Sequence, residues 1–179
     1  MIMDDLQIID QSIRRIPDFP KKGILFYDIT GALINPKAFK LIVEKSIALY
    51  KDSGIDAVAA VESRGFIFAA PLAERLGIPL ILIRKKGKLP GDVYHCSYSL
   101  EYGTAEIEVH KSDVKSGQKI LVIDDLIATG GTLGAAKNLL EQGGASVFEF
   151  FGVIGLPDLN YKKTLAPVKV TTLIEYSGK

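Results

Sequence analysis

The sequence predicts an α/β protein with a central, mainly parallel sheet flanked by helices. Two helical segments end at glycine, 66–76 before Gly77 and 132–142 before Gly143. Each lies between short apolar runs that are bounded by Gly, Pro or charged residues and are typical of buried strands. Those runs are 57–61, 80–83, 120–123 and 147–154. Because strands that alternate with helices pair in parallel, this order predicts a parallel sheet.

The N-terminal part predicts two helices separated by an extended segment. Apolar residues at helical spacing continue as far as Ile16, and a stretch containing two prolines and a glycine, 17–23, then leads into the extended segment 24–26. A second helix is predicted over 36–50, with Asn35 as its N-cap and proline at its first position.

The stretch 84–102 interrupts the alternation of strands and helices. It is rich in basic and tyrosine residues, contains two glycines and a proline, and shows little periodicity. It is therefore predicted to be a long surface loop. Loops of this length within one domain are more often functional lids than spacers, so it is also a candidate site element.

Composition limits the function classes. The 179 residues suit one domain, 1–179, and 47% hydrophobic residues suit a folded globular chain. A net charge of +1 provides no field for nucleic acid or an anionic membrane. The lone Cys96 excludes an internal disulfide, and with His95 and His110 it makes no soft-metal ligand set. No export signal or membrane span is visible, so a soluble, cytoplasmic protein is expected.

The strongest functional signal is 120–132, an apolar strand followed by two acids and a turn of small residues. Backbone N–H groups and hydroxyls of such a turn, at the carboxyl end of a parallel strand, suit a phosphate. These groups belong to Ala128, Thr129, Gly130, Gly131 and Thr132. The acids, Asp124 and Asp125, would accept hydrogen bonds from ribose hydroxyls. The segment matches neither a Walker loop nor a dinucleotide fingerprint, and the alternative is a solvated turn with a good N-cap.

The segment 120–132 resembles the phosphoribosyl pyrophosphate motif of the type I phosphoribosyltransferases, and nearly the whole chain is similar to their adenine-using branch. The other similar segments are 17–20, Gly23, Phe26, 28–29, 62–66, 84–91 and 98–103. The resemblance implies the type I fold, with 1–35 as N-terminal helix and hood and 84–103 as the active-site lid loop. It also implies a homodimer that joins adenine to phosphoribosyl pyrophosphate, giving AMP and pyrophosphate, with Mg²⁺ bound mainly through the substrate.

The same resemblance implies a pyrophosphate site made of two segments. The residues are Ser63, Arg64 and Gly65 after one strand, and Arg84, Lys85 and Lys88 in the lid segment. Backbone amides, guanidinium and ammonium groups suit oxyanions. The alternatives are an ordinary arginine on a strand-to-helix turn and solvated lysines. In the family part of the basic patch can act across the dimer interface.

Glu101 and Arg64 are the predicted catalytic residues. By resemblance, Glu101 closes over the purine together with Tyr102 of the lid and manages the proton that the base must lose. The alternative for Glu101 is an exposed loop acid. Family members that act on hypoxanthine and guanine typically carry an acid where this chain has Ala128, so an adenine-specific enzyme is favoured.

The resemblance also implies an adenine slot. Leu25 and Tyr27 would offer backbone hydrogen bonds to the base edge, and Phe26 and Leu156 would sandwich the ring. Phe26 could instead be a core residue. Many family members have Arg in place of Tyr27 and an acid in place of Gly155, which leaves purine discrimination open.

Two competing functions stay open at this stage. A non-catalytic module could use the same fold to sense phosphoribosyl pyrophosphate and regulate a partner, although neither a basic face nor an appended DNA-binding helix pair is apparent. An enzyme of the same reaction type could instead use hypoxanthine, guanine or xanthine.

Overall fold

The computed structural model describes residues 4–99 and 104–177, whose strands form two sheets. The small sheet pairs β1 (Arg14–Pro17) with β2 (Leu25–Asp28). The large sheet contains β3 (Ala57–Val61), β4 (Leu80–Lys85), β5 (Val93–Ser99), β6 (Thr104–His110), β7 (Lys119–Ile127), β8 (Ser146–Gly155) and β9 (Lys169–Glu175). Its order is β5-β6-β4-β3-β7-β8-β9, with the last five strands parallel and β5 and β6 antiparallel at one edge. The expected mainly parallel sheet is confirmed.

Helices cover both faces of the large sheet. They are α1 (Asp5–Ser12), α2 (Thr30–Leu33), α3 (Pro36–Tyr50), α4 (Gly65–Leu76), α5 (Gly131–Gln142) and α6 (Tyr161–Leu165). One apolar cluster joins α5 and α6 to the sheet, and the other joins α1 to α4 to the opposite face. Successive residues of β3 enter alternate clusters because side chains of a strand point to opposite faces. The helices predicted over 36–50, 66–76 and 132–142 are confirmed.

Two of these helices have the termini expected from sequence. The Asn35 side chain accepts hydrogen bonds from the amides of Lys37 and Ala38, at 3.1 and 3.2 Å, and so caps α3. Gly77 ends α4 in the left-handed conformation, with a φ of 67°, which glycine adopts at little steric cost.

The first helix is shorter than predicted. It ends at Ser12; Ile13, which continues the helical spacing, is the extended residue directly after the helix, and Ile16 belongs to β1. A residue before proline is disfavoured in a helix, and Pro17 follows Ile16 directly. The extended segment 24–26 is confirmed in β2, where Ile16 pairs with Phe26 in a hairpin.

The prediction of a long surface loop over 84–102 is wrong for most of its described part. Residues 84–85 complete β4, and 93–99 form β5, which pairs with β6 along its length. Tyr94, Cys96 and Tyr98 alternate along β5 and pack against the core, and this burial favours a strand. Only 86–92 remains a turn. Strands β6 and β9 were not predicted.

The assignments of one domain over 1–179, a hood over 1–35 and a lid over 84–103 stay predictions. Within 4–99 and 104–177, none of the helices combines the length and the apolar character that crossing a membrane requires.

Candidate active site

The candidate site is a cavity of about 300 Å³ at the carboxyl ends of β3, β4 and β7. In parallel sheets this edge is where ligands bind, because the following loops and helix N-termini converge there. The cavity is lined by residues 61–64, Lys85, Tyr98, Ile107, 124–126 and Thr132. The structure therefore brings together the predicted pyrophosphate and ribose segments. A smaller adjoining hollow of about 80 Å³ is formed by Asp124 and 126–133.

The smaller hollow is the predicted phosphate cradle. Strand β7 ends at Ile127, and α5 begins at Gly131 after a turn. Gly130 has a φ of 85°, and a Cβ there would lie 2.9 Å from Cγ of Leu165, so the turn suits glycine on both counts. The N–H groups in the first turn of a helix have no partner within the helix. The cradle therefore presents amides and the positive end of the α5 dipole to an anion.

The two acids lie in β7 itself, between the cradle and Arg64. Asp125 is 5% exposed, and its Oδ2 lies 2.5 Å from Nε of Arg64, whose side chain is about half exposed. Burial, and next the charge of Asp125, raises the pKa of Asp124 well above its usual range. One carboxylate is thus paired with a guanidinium, and its neighbour is costly to ionise in the absence of a ligand.

The predicted pyrophosphate segment, 63–65, is packed directly against β7. A Cβ on Gly65 would lie 2.9 Å from the carbonyl oxygen of Ile123 and 3.4 Å from Oδ1 of Asp124. Only glycine permits this approach without displacement of the backbone. The Glu62–Ser63 peptide bond is cis. Gly65 therefore sets the spacing between the pyrophosphate segment and the two acids.

The basic turn, by which we mean the end of β4 and the residues after it, 84–89, is held at its start by Glu62, directly after β3. Arg84 Nε and Nη2 lie 3.3 and 3.4 Å from the two carboxylate oxygens of Glu62, and the Lys85 amide donates to Oε2 at 3.0 Å. The Lys85 amide, together with the Arg84 guanidinium, lowers the pKa of Glu62. The guanidinium of Arg84 is thus directed at Glu62, whereas Lys85 lines the cavity.

Glu108 of β6 supports the rest of this basic turn. The side chain is buried, and Oε1 accepts hydrogen bonds from the amides of Lys88 and Leu89 at 2.8 and 2.7 Å. Burial opposes ionisation, but hydrogen bonds from Leu89, Gly87 and Lys88 produce a net lowering of the pKa of Glu108. Sequence reasoning assigned no role to Glu62 or Glu108. For Glu108 no signal was available, because the alternation of acids with Ile107 and Val109 is typical of a strand whose acids face solvent.

The predicted adenine residues lie on separate segments. Leu25, Phe26 and Tyr27 form β2 of the hairpin, and Leu156 follows β8, where its amide donates to the carbonyl of Ile127 at 2.9 Å. Phe26 is half-buried and meets Phe19 edge to face, with ring centroids 5.0 Å apart. Leu156 and Tyr27 both pack at the edge of the core cluster beneath α1 to α4.

Glu101 and Tyr102 lie outside the described residues, in the connection from β5 to β6. The strands pair up to Ser99 and Thr104, and Tyr98 lines the cavity. The predicted roles of Glu101 and Tyr102 stay predictions.

Within residues 4–99 and 104–177, no three or more His, Cys, Asp and Glu side chains are grouped so that they could hold a metal ion. Asp124 and Asp125 are the two adjacent acids that border the cavity.

The chain is similar to a known domain family and to relatives and solved structures of one kind. A model of the phosphoribosyl transferase domain matches residues 31–175. The adenine phosphoribosyltransferase of Treponema denticola is 65% identical over 178 residues, which cover 99% of this chain and 93% of the relative. A crystal structure of adenine phosphoribosyltransferase from Thermoanaerobacter pseudethanolicus has a TM-score of 0.90 at 44% identity, covering 96% of this chain and 99% of that one.

A third comparison carries ligands. The Saccharomyces cerevisiae adenine phosphoribosyltransferase, crystallised with adenine and D-2,5-dideoxy-2,5-imino-altritol 1,6-bisphosphate, has a TM-score of 0.89 at 34% identity over 95% of this chain and 98% of its own. Domain match, sequence identity and fold all point to the same family. The chain therefore belongs to the adenine phosphoribosyltransferases, within the phosphoribosyl transferase domain family.

Proposed function

We propose that this protein transfers the 5-phosphoribosyl group of phosphoribosyl pyrophosphate to adenine, forming AMP and pyrophosphate in cytoplasmic purine salvage. The observation that carries the proposal is that the cavity beside Arg64, Asp124 and Asp125 adjoins the hollow of the phosphate cradle. The Saccharomyces cerevisiae relative supports adenine as the base, since its structure contains adenine.

In this proposal the 5-phosphate occupies the cradle, and the ribose lies over the paired acids. Amides of residues 129–132 and the hydroxyls of Thr129 and Thr132 would donate to the phosphate oxygens. Ribose hydroxyls would donate to the carboxylates of Asp124 and Asp125. Negative charge beside the sugar also stabilises the positive charge that develops on it as the bond to pyrophosphate breaks.

The pyrophosphate would leave toward the positively charged side of the cavity. Arg64 and Lys85, with the backbone around Ser63 and Gly65, provide donors there. Glu62 and Glu108 hold the basic turn in place, and Arg84 and Lys88 would add positive charge beside the leaving pyrophosphate. Bound Mg²⁺ would neutralise pyrophosphate charge, held mainly by substrate and water oxygens.

Adenine would enter between Phe26 and Leu156, with its edge on the backbone of Leu25 and Tyr27. Glu101, from the connection between β5 and β6, would manage the proton lost by the base, and closure with Tyr102 would exclude water. Many family members have Arg in place of Tyr27. Recognition of the base through the main chain fits this difference, because the Tyr27 ring is stacked on Tyr176 and the base would be bound by the backbone of residue 27.

The proposed assembly is a homodimer. Ile67 of α4 and Leu82 of β4 are 38% and 37% exposed, and apolar side chains of this size on neighbouring elements are suited to burial against a second copy. Light scattering should give twice the 19.5 kDa chain mass. A mass of one chain at assay concentration would contradict this assembly.

The direct test is pyrophosphate release by the purified protein with phosphoribosyl pyrophosphate and Mg²⁺, with adenine, hypoxanthine, guanine and xanthine offered separately. Release with adenine alone is expected. Release only with a 6-oxopurine would overturn the choice of base but retain the reaction type. No release with any base would favour the sensor alternative, for which salt-dependent nucleic-acid binding is the matching assay.

A further inference from the structure

Tyr176, directly after β9, connects the two segments of the proposed adenine slot. Its amide donates to the carbonyl of Gly155 at 3.0 Å, at the end of β8. Its ring stacks on Tyr27 of the hairpin, with centroids 4.0 Å apart and planes 6° from parallel. Its hydroxyl donates to Oδ1 of Asp10 in α1 at 2.7 Å.

Arg15 completes the surroundings of this ring. It pairs with Tyr27 across the hairpin, and its guanidinium carbon lies 5.0 Å from the Tyr176 ring centroid. Nη2 of Arg15 also lies 2.7 Å from the Asp10 oxygen that accepts the tyrosine hydroxyl. Burial raises the pKa of Tyr176, so its phenol is a neutral donor in the physiological range. The ring is thus fixed by the hairpin and by α1.

The two contacts of Tyr176 matter for the proposed adenine slot because each lies next to one of its residues. Phe26 is the neighbour of Tyr27, and Leu156 is the neighbour of Gly155. The ring and the backbone of Tyr176 therefore join the hairpin that carries Phe26 to the strand end that precedes Leu156. The hairpin belongs to a separate two-stranded sheet, so its position relative to the large sheet depends on contacts of this kind.

We infer that Tyr176 is a positioning residue for the purine base, which sets the spacing between the hairpin and the end of β8 by stacking on Tyr27 while bonded to Gly155. The inference rests on the proposed function, because it assumes that adenine binds between Phe26 and Leu156. Tyr176 acts through its neighbours and needs no contact with the base.

The test separates the KM for adenine from the KM for phosphoribosyl pyrophosphate. Tyr176→Leu removes the stack and the phenol, and the KM for adenine is expected to rise about tenfold while that for phosphoribosyl pyrophosphate stays within about twofold. Tyr176→Phe keeps the ring and should recover most of the loss. Tyr27→Leu removes the same stack from the hairpin side and should reproduce the adenine effect, which provides a second variant if Tyr176→Leu does not fold.

The matched control is Tyr50→Leu. Tyr50 also combines a ring contact, at 5.7 Å from Phe151, with a hydroxyl bonded to a carboxylate, that of Glu149. It should lower the melting temperature without changing the KM for adenine. If the wild type makes AMP, then equal rises in the two KM values of Tyr176→Leu, or no change in either value, would overturn the inference. A wild type inactive with adenine would instead remove the proposed function and the inference together.

Discussion

The phosphate side and the base side of the candidate site are built by different means. On the phosphate side, Arg64, Asp125 and the basic turn are held by ion pairs and amide hydrogen bonds at the ends of strands in the large sheet. On the base side, a two-stranded hairpin outside that sheet is held through the stack of Tyr27 on Tyr176. Charged ligands demand donors that are fixed in advance, whereas a flat apolar base needs only two surfaces at the right spacing.

The two sides also differ in burial. Asp125 and Glu108 are 5% and 4% exposed, whereas Phe19 and Leu25 of the hairpin region are 50% and 38% exposed. Changes on the phosphate side should therefore affect stability together with phosphoribosyl pyrophosphate binding. Changes in the hairpin should affect mainly the KM for adenine.

The substitution with the largest expected effect is Asp125→Asn, on the phosphate side. It leaves Arg64 without its buried carboxylate partner, and we expect kcat/KM for phosphoribosyl pyrophosphate to fall by about 10²–10³-fold. Steady-state kinetics with saturating adenine measure this, with Asp113→Asn, an exposed acid of another turn, as the control. A fall of less than threefold would mean that the pair does not organise the phosphate side.

Glu108→Ala tests whether the basic turn is a separate support of the phosphate side. Amides of Lys88 and Leu89 would lose their charged acceptor, and each such bond contributes about 1.5–3 kcal/mol. We expect about a tenfold rise in the KM for phosphoribosyl pyrophosphate with the KM for adenine unchanged. The control is Glu106→Ala on the same strand, whose partner Lys86 is exposed. Equal effects of the two variants would contradict the support role.

Gly65→Ala tests the close approach of the pyrophosphate segment to β7. The added Cβ would meet the Ile123 carbonyl at 2.9 Å, so a loss of about 1–3 kcal/mol in unfolding free energy is expected by denaturant titration. Gly134→Ala is the matched helical control, because its Cβ would meet only Leu165 at 4.0 Å. That control should keep or gain stability, and a loss equal to that of Gly65→Ala would point to a general effect of alanine.

The smallest expected effect is a gain in stability rather than a loss, and it concerns Asp124. The raised pKa of Asp124 means that the folded state holds its proton more tightly than the unfolded state, so stability falls as pH rises above the ordinary value of 3.8 toward the raised pKa. Asp124→Asn removes this cost and should raise the melting temperature at neutral pH by a few degrees while lowering activity. Thermal melts across the acid-to-neutral range should show the gain vanishing below that ordinary value. A melting temperature lowered at neutral pH would contradict the burial cost.

The local structure of 120–132 was largely predictable because its signal is local. A strand, two acids and a small-residue turn are contiguous in the chain, and the structure places them at the cavity and the hollow that adjoins it. The roles of Glu62 and Glu108 were not predictable, since they depend on β3, β4 and β6 lying side by side. The error at 84–102 has the same origin, because β5 exists through its pairing with β6.

The sequence by itself determined the strands β3, β4, β7 and β8, the helices α3, α4 and α5, and the helix ends at Asn35 and Gly77, because these depend on spacing and on backbone preferences of neighbouring residues. Only the tertiary structure decided that Glu62 and Glu108 hold the basic turn, and that Tyr176 joins the hairpin to the end of β8. Those contacts bring together residues far apart in the chain, as with the hydrogen bond from Tyr176 to Asp10. No local sequence pattern predicts a contact between residues so far apart in the chain, so the packing of the sheet and its helices decides which of them meet.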